Sequence, residues 1–317
     1  MRITAAGSLP GTDFRGALSA MSEALPELLP LPELPERGIG SQMVGRALGL
    51  IDDLGFDLQP AGWRLTPHSS SEHRKARAQW RQDLDDAEEL LQGFEGLLKV
   101  GVAGPWTLAA CVERFAGDRL LADHGARREL TQALAEGVRT LRSDLARRLP
   151  AADVLIQLDE PSLVAVAGGG ISTASGFSKH RRVDAPELVA ALKPFADGVL
   201  HCCAPGRWLG WARSAGFRWV SVDAALADYD ELAAWLDEGR ELILGVVATA
   251  SGRPQSTDEV VTRALKMLRA LSIDDATEHT VLGTACGLAG WQQRDVVTQL
   301  RALAAAAPLV EEAMHRG

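Results

Sequence analysis

The sequence is poor in the features that mark several common protein classes. Only four of its 317 residues are cysteines, and two of these are adjacent, so it lacks a disulfide framework. No apolar run reaches the roughly 18 residues that a membrane-spanning helix needs. The amino-terminal residues MRITAAGSLPG have no long apolar segment behind a basic start, unlike a signal peptide. We therefore expect a cytoplasmic protein with reduced thiols and no membrane contact.

Positive charge and nucleotide-binding loops are also scarce. The chain has 33 Lys and Arg against 42 Asp and Glu, a net charge of −9, and no local basic cluster. This balance argues against a nucleic-acid partner. No G-x-G-x-x-G follows the first predicted strand, which disfavours a dinucleotide-binding fold.

What the sequence does contain is a regular alternation of short apolar runs and amphipathic segments. The runs predict strands at 2–8, 97–105, 152–161, 198–202, 218–223, 241–247 and 279–285. Helical patterns lie at 70–97, 118–148, 185–196, 206–215, 229–238, 257–271 and 292–305, and a proline-rich connector at 25–38. Seven or eight βα units predict an α/β fold, a single (β/α)8 TIM barrel over residues 1–317.

Polar residues stand where the predicted strands end. In a parallel barrel these ends meet at one mouth, which carries the active site. The residues are Ser8, Asp159, Glu160, His201, Cys203, Asp223 and Cys286. We expect them to converge despite their separation along the chain.

Four of these side chains form a candidate zinc site. His201 and Cys203 are two residues apart, and in a strand such residues share a face. Adding Cys286 and Asp223 gives a soft tetrahedral ligand set, which favours Zn²⁺ over magnesium or calcium. Such an ion would activate a substrate thiol. We expect Cys202, which alternates to the other face, and Cys111, in the middle of a predicted helix, to be core residues instead.

The remaining strand-end residues allow two interpretations each. Asp159 and Glu160 could bind a cation, an amine or a proton in transit, or they could cap a helix that begins with the following proline. Ser8, in GSLPG, could serve only the turn, or its hydroxyl and the neighbouring backbone NH groups could hold a carboxylate.

Together these motifs resemble the C-terminal catalytic barrel of cobalamin-independent methionine synthase. The resemblance covers most of the chain through short segments: GSLPGT (7–12), GPWTLAA (104–110), IQLDEPSL (156–163), LHCC (200–203), SVD (221–223) and TACGLAGW (284–291). It implies a (β/α)8 barrel in which zinc activates the thiol of homocysteine for methylation, a transferase of methionine biosynthesis.

The resemblance also implies roles for individual residues. His201, Cys203 and Cys286 match zinc ligands, and Asp223 falls where the family has a ligating glutamate. Asp159 matches the catalytic-site carboxylate that receives the homocysteine amine, and Ser8 matches the residue that takes its carboxylate. A glutamate from the region of Glu33 and Glu36 should assist with the amine, and we choose Glu36.

The chain also departs from the family pattern. It is too short for the second, N-terminal barrel of the larger members, so we expect a short, core-type member. In LGVVATASG (244–252), Ala248 and Ala250 stand where the family has an aspartate and a proton-moving histidine. A folate donor needs its departing nitrogen protonated, so we expect another methyl donor, such as a methylated corrinoid on a partner protein.

Two other functions stay open at this point. One is a zinc-binding relative without catalysis or with another specificity. The other is a barrel enzyme of the uroporphyrinogen decarboxylase type, against which the His-x-Cys motif and the late cysteine argue.

Overall fold

A computed structural model describes residues 1–271, 273 and 276–316. In chain order its strands are β1 (Leu28–Pro30), β2 (Gly55–Gln59), β3 (Gly62–Thr66), β4 (Leu97–Ala103), β5 (Asp153–Asp159), β6 (Val199–Cys202), β7 (Trp219–Asp223), β8 (Glu241–Val247) and β9 (Thr280–Thr284). Seven of them form a curled parallel sheet in the order β1-β4-β5-β6-β7-β8-β9. The fold is thus α/β and consistent with a TIM-like barrel, as predicted.

Helices connect the strands. They are α1 (Phe14–Ala24), α2 (Met43–Leu48), α3 (Ser71–Leu90), α4 (Pro105–Cys111), α5 (His124–Arg148), α6 (Leu163–Ala167), α7 (Ala185–Leu192), α8 (Leu209–Ala215), α9 (Tyr229–Asp237), α10 (Thr257–Leu271) and α11 (Gln293–His315). No described helix is both long and apolar enough to cross a membrane.

The segment 2–8, predicted to be a strand, differs from the seven strands of the sheet. Instead of a regular ladder it makes two isolated parallel bridges, Ile3 with Leu282 of β9 and Ser8 with Glu33, which follows β1. The backbone N–H of Thr4 donates to Leu282 O at 2.9 Å, and that of Leu9 donates to Glu33 O at 2.8 Å. The amino-terminal segment therefore touches both edges of the seven-stranded sheet.

The proline-rich region and the segment after it hold elements that the pattern did not predict. β1 lies inside 25–38, and an antiparallel hairpin, β2 with β3, spans 55–66. The predicted helix at 118–148 begins only at His124, because Asp123 caps it by accepting from Ala126 N at 2.9 Å. Residues 112–123 are a loop with one short 3₁₀ turn instead.

Alternation along the strands separates two apolar regions. Helix-facing residues such as Leu158 and Leu200 belong to the large core, whereas Leu155 of β5 and Val199 of β6 belong to a small separate cluster. Because side chains alternate faces, the residues in phase with that small cluster also point to the inside of the sheet. This places Gln157, Asp159 and His201 inside, stacked towards the carboxyl ends of the strands.

Candidate functional site

A cavity of about 380 Å³ opens at the carboxyl ends of the strands, where the polar strand-end residues were expected to meet. Of the residues singled out in the sequence, Ser8, Glu33, Asp159, His201, Cys203 and Cys286 line it. Asp159 and His201 are neighbours in the register of β5 and β6, so the sheet itself brings these two side chains together.

One wall of the cavity, here called the thiol side, consists of His201, Cys203 and Cys286. One ligand atom from each lies within 4.8 Å of the others, and the two Sγ atoms are 3.6 Å apart. Among the described residues no other group of three histidine, cysteine or acidic side chains comes this close. Two sulfurs and one imidazole nitrogen are a soft donor set whose spacing fits Zn²⁺.

Ser221 on β7 orients the imidazole of His201. Nδ1 of His201 lies 3.2 Å from the Ser221 carbonyl oxygen and 3.0 Å from its Oγ. A carbonyl oxygen only accepts, so Nδ1 donates its hydrogen to it and Nε2 is the ring nitrogen that remains for Cys286 or for a metal ion. Metal-binding histidines are commonly held in this way. β7 thus supports the thiol side with a residue that the sequence analysis did not single out.

The three side chains of the thiol side shift one another's proton affinity. Hydrogen bonds from Cys203 and His201 lower the pKa of Cys286 well below that of a free thiol. The same Cys286 contact raises the pKa of Cys203. Burial opposes protonation of His201, but the contact with Cys286 and the nearby Asp159 raise its pKa overall. The cluster therefore carries a thiolate, the form of cysteine that binds metals.

Asp223, the fourth predicted ligand, is not part of this close group. It ends β7, is half-buried, and its Oδ1 accepts from the backbone N–H of Ala225 at 2.8 Å. The second carboxylate oxygen has no such bond among the described residues. The role of Asp223 as a ligand stays a prediction.

The opposite wall, here called the carboxylate side, consists of Ser8, Glu33 and Asp159. Glu33 and Asp159 are 8% and 7% exposed, which is low for carboxylates. They converge over Gly101 of β4: a Cβ there would meet Oε1 of Glu33 and lie 3.1 Å from Oδ2 of Asp159. Two buried carboxylates that face one space form a site for a cation such as an ammonium group.

Burial sets the protonation of this pair. It raises the pKa of Asp159 to about 7, and the negative charge of Glu33 adds to the rise while His201 opposes it. Glu33 has a buried counter-ion, since Nε of Arg46 lies 3.8 Å from its Oε2. The carboxylate side is therefore a buried set of interacting charges.

Glu36, chosen from the sequence over Glu33, lies elsewhere. It sits in a short 3₁₀ turn, Pro35–Arg37, and is exposed, whereas Glu33 lines the cavity. The proline-rich segment has no periodic pattern, so its inward-facing residue could not be read from sequence. The backbone bridge between Ser8 and Glu33 brings Glu33 to the mouth.

Glu160 follows Asp159 but points the other way. Its carboxylate accepts from Trp106 N at 2.8 Å and from Thr107 N and Oγ1 at 2.7 and 2.6 Å, at the start of α4. Burial raises its pKa to about 7, although these hydrogen bonds oppose the rise. Glu160 is therefore a structural residue, but not in the predicted way: no helix begins at Pro161, since α6 starts at Leu163, and Glu160 caps the neighbouring helix α4 instead.

Cys202 and Cys111 both lie outside the cavity lining. Cys202 is 1% exposed in the apolar core, and burial raises its pKa to about 12. Cys111, predicted to be a core residue in the middle of a helix, is only partly buried at the end of α4, where burial raises its pKa. Neither thiol shows the low pKa of a reactive cysteine.

Two buried polar residues were missed by the sequence analysis: Gln157, which lines the cavity, and Lys99, which lies outside the lining and donates to Gln157. Lys99 of β4 is 1% exposed, and Gln157 of β5 is 2% exposed. Each interrupts an apolar run, LLKVGVA and DVLIQLD, in phase with the inside of the sheet. A polar residue inside an otherwise apolar strand was the signal that could have revealed them.

The loop after β8 has neither the aspartate nor the histidine that the resemblance implies at this point. None of residues 248–255 has a carboxyl or imidazole group. The Ala248 backbone is instead tied to Gln255, whose Oε1 accepts from Ala248 N at 3.1 Å and whose Nε2 donates to Ala248 O at 2.9 Å.

Comparison with known proteins points to one family. The family described as "Cobalamin-independent synthase, Catalytic domain" matches residues 115–308. A B12-independent methionine synthase from Shewanella sp. W3-18-1, solved in complex with selenomethionine, shares 15% identity with a TM-score of 0.62, covering 99% of both chains. A putative vitamin-B12 independent methionine synthase from Listeria monocytogenes shares 12% identity with a TM-score of 0.61, covering 98% of both chains.

A methyltransferase from Methanosarcina mazei also has a similar structure. It shares 16% identity with a TM-score of 0.56, and the match covers 97% of this chain and 93% of that one. No curated protein matches the sequence. At these identities the solved structures agree with the chain in fold, while the family match identifies the lineage.

Proposed function

The chain belongs to the cobalamin-independent synthase family, and from this premise we propose that it is a zinc-dependent methyltransferase that converts homocysteine to methionine. The observation that carries the proposal is the group of His201, Cys203 and Cys286, whose ligand atoms lie within 4.8 Å at the mouth of the sheet. A zinc ion held there would keep the acceptor thiol deprotonated at neutral pH. We propose Asp223, through its second carboxylate oxygen, as a further ligand.

The carboxylate side supports an amino acid as the acceptor. Asp159 and Glu33 converge on one space and would hold the α-ammonium group, so Glu33 replaces Glu36 in this role. Ser8 follows Gly7 at the cavity and would hold the α-carboxylate through its hydroxyl and neighbouring N–H groups. The acceptor would then span the cavity, with its thiol towards Cys203 and Cys286.

The fold supports this arrangement when residues 2–8 act as the eighth strand. Their bridges to β9 and to Glu33 touch both edges of the seven-stranded sheet. We propose that the whole chain is one (β/α)8 barrel closed by this segment, which places Ser8 at the carboxyl-end mouth with the other site residues.

We further propose that the methyl donor is a methylated corrinoid, carried by a partner protein, and not free folate. The acceptor thiolate would form the S–CH₃ bond as the Co–C bond breaks. The electron pair of the Co–C bond would stay on the cobalt, which is reduced from Co(III) to Co(I). No leaving atom then needs a proton. This fits a loop 248–255 without a carboxyl or imidazole group.

A methyl-transfer assay tests these proposals. Zinc-loaded protein is supplied with homocysteine and either methylcobalamin or methyltetrahydrofolate, and methionine is quantified. We expect methionine from methylcobalamin and none above background from the folate, with Cys286→Ser inactive. Efficient use of the folate would refute the donor proposal, and no methylation from either donor would refute the proposed reaction.

A further inference from the structure

A buried lysine stands directly below the carboxylate side. Lys99 is 1% exposed, and its Nζ donates to Gln157 Oε1 and, at 3.1 Å, to the backbone oxygen of Ala6. Burial lowers the pKa of Lys99 to about 8, while Asp159 and Glu33 oppose the decrease. The side chain is therefore mainly cationic at neutral pH. Burying an ammonium group costs free energy unless it is hydrogen-bonded and paired with opposite charges.

The lysine determines which way the Gln157 amide faces. An ammonium group only donates, so the Gln157 oxygen must face Lys99 and its NH₂ must face away. That NH₂ donates to Asp159 Oδ1 at 2.8 Å and to Ala6 O at 3.2 Å. Oδ1 of Asp159 is thereby engaged, and Oδ2 is left beside Glu33 over Gly101.

The same lysine also holds the segment that carries Ser8. Ala6 O accepts from both Lys99 and Gln157, and Ala6 N donates to Thr284 Oγ1 at 2.9 Å. Two residues further on, Ser8 lines the cavity. A single ammonium group is thus bonded to the backbone before Ser8 and, through one amide, to Asp159.

We propose that Lys99 is a positioning residue that, through Gln157 and the Ala6 carbonyl, holds Asp159 and Ser8 at the spacing that an amino-acid thiol requires. The inference rests on the proposed function, because it assigns Asp159 to the ammonium group and Ser8 to the carboxylate of the acceptor. Lys99 does not line the cavity and acts only through these groups.

A simpler role for Lys99 is that of a counter-charge for Glu33 and Asp159. The two roles differ at Gln157. A counter-charge acts through space and does not need the amide, whereas positioning requires the unbroken chain from Lys99 to Gln157 to Asp159. Replacing Gln157 with Met removes the link and leaves the Lys99 charge in place.

The test measures the binding of two acceptors to zinc-loaded protein by calorimetry. L-Homocysteine carries the α-amine, and 4-sulfanylbutanoate is the same molecule without it. Lys99→Met, Gln157→Met and the double variant are compared with wild type. Zinc content and thermal unfolding are recorded first, so that a misfolded variant is recognised. The matched control is Lys75→Met, because the Lys75 side chain is exposed on α3.

We expect wild type to bind homocysteine more tightly than the deamino thiol. Each single variant should lose roughly 10-fold or more in homocysteine affinity, as when one hydrogen bond to a charged group is lost, with little change for the deamino thiol. Because both changes break one chain of contacts, the double variant should lose no more than the worse single variant. Lys75→Met should match wild type.

Three results would overturn the inference. Equal losses for both thiols would mean a structural role, and normal homocysteine binding by Gln157→Met would mean a counter-charge role. A wild type that does not prefer the amine would remove its basis. Failure of methyl transfer with intact amine discrimination would instead refute the proposed reaction and leave the positioning role standing.

Discussion

The two sides of the cavity are built on different principles. On the thiol side, Cys203 and Cys286 are partly exposed, and their sulfurs contact each other at 3.6 Å. On the carboxylate side, Asp159 and Glu33 are buried, and buried cations, Lys99 and Arg46, stand behind them. The thiol side thus presents soft ligand atoms on partly exposed cysteines, whereas the carboxylate side presents buried charges held in a network of hydrogen bonds and ion pairs.

This difference shows where the protein itself must supply order. A metal imposes its own geometry on ligands that are roughly in place. An ammonium group imposes little geometry, so the carboxylates that receive it have to be oriented beforehand by their own neighbours. The network of Gln157, Lys99 and Arg46 lies on the side that needs it.

The largest expected effect concerns the thiol side. Cys203→Ala should lower zinc affinity by at least about 100-fold and abolish methyl transfer, because one of two sulfur ligands is lost. Cys202→Ala, its neighbour in the core, should retain full zinc. Zinc content after dialysis against a chelator measures both. Loss of zinc in both variants, or in neither, would contradict the assignment.

A matching change on the carboxylate side should leave zinc in place. Asp159→Asn keeps the shape but removes the charge that faces the acceptor ammonium. We expect homocysteine affinity to fall about 10- to 100-fold, the equivalent of one hydrogen bond to a charged group. Metal analysis should still give one zinc per chain. Simultaneous loss of zinc would show that the two sides are not separable.

Glu160 tests whether the carboxylate next to Asp159 serves the fold and not the site. Glu160→Gln replaces one of the two accepting oxygens by an NH₂ group, which then faces the N–H of either Trp106 or Thr107, so folding stability should fall by about 2 kcal/mol. Urea unfolding measures this, with Asp159→Asn as the neighbouring comparison. If Glu160→Gln unfolded at the same urea concentration as wild type, Glu160 would not be a structural cap.

Asp223 tests whether β7 contributes to the thiol side directly. We expect Asp223→Ala to weaken zinc about 10-fold, less than Cys203→Ala, because three stronger ligands remain. Competition with a chromophoric chelator gives the affinity. An unchanged value would leave Asp223 as the residue that caps the turn at Ala225.

The most gradual effect is a pH dependence of stability that arises from Lys99. Its pKa is about 8 in the folded protein, against 10.5 for a free lysine, so the unfolded chain binds more protons between these values. The free energy of unfolding should therefore gain up to about 1.4 kcal/mol per pH unit from this group as pH rises through that window. In Lys99→Met the gain should vanish. Parallel curves for both proteins, from urea titrations at several pH values, would contradict the pKa assignment.

Sequence reasoning succeeded where the period of a strand decides the outcome. His201 and Cys203 share a face because they are two apart, and Cys202 faces the core for the same reason. The repeated βα units likewise predicted the parallel sheet, and all of its strands from β4 onwards lie within two residues of their predicted bounds.

The sequence did not reveal the site residues where a segment has no hydrophobic periodicity or where a strand is apolar on both faces. Prolines remove any repeat from 25–38, so the choice between Glu33 and Glu36 depended on a tertiary bridge to Ser8. Lys99 and Gln157 were overlooked because a strand buried on both faces reads as one apolar run.

The carboxylate side also depends on an uncharged residue, Gly101 of β4, which lies directly against the two carboxylates. At this position every other amino acid adds a Cβ that would overlap Oε1 of Glu33 and lie 3.1 Å from Oδ2 of Asp159. Alanine, elsewhere the mildest of replacements, would therefore displace the Glu33 carboxylate here. The proposed binding of the acceptor's ammonium group would thus be sensitive to mutation at a residue that a search for acids and bases would pass over.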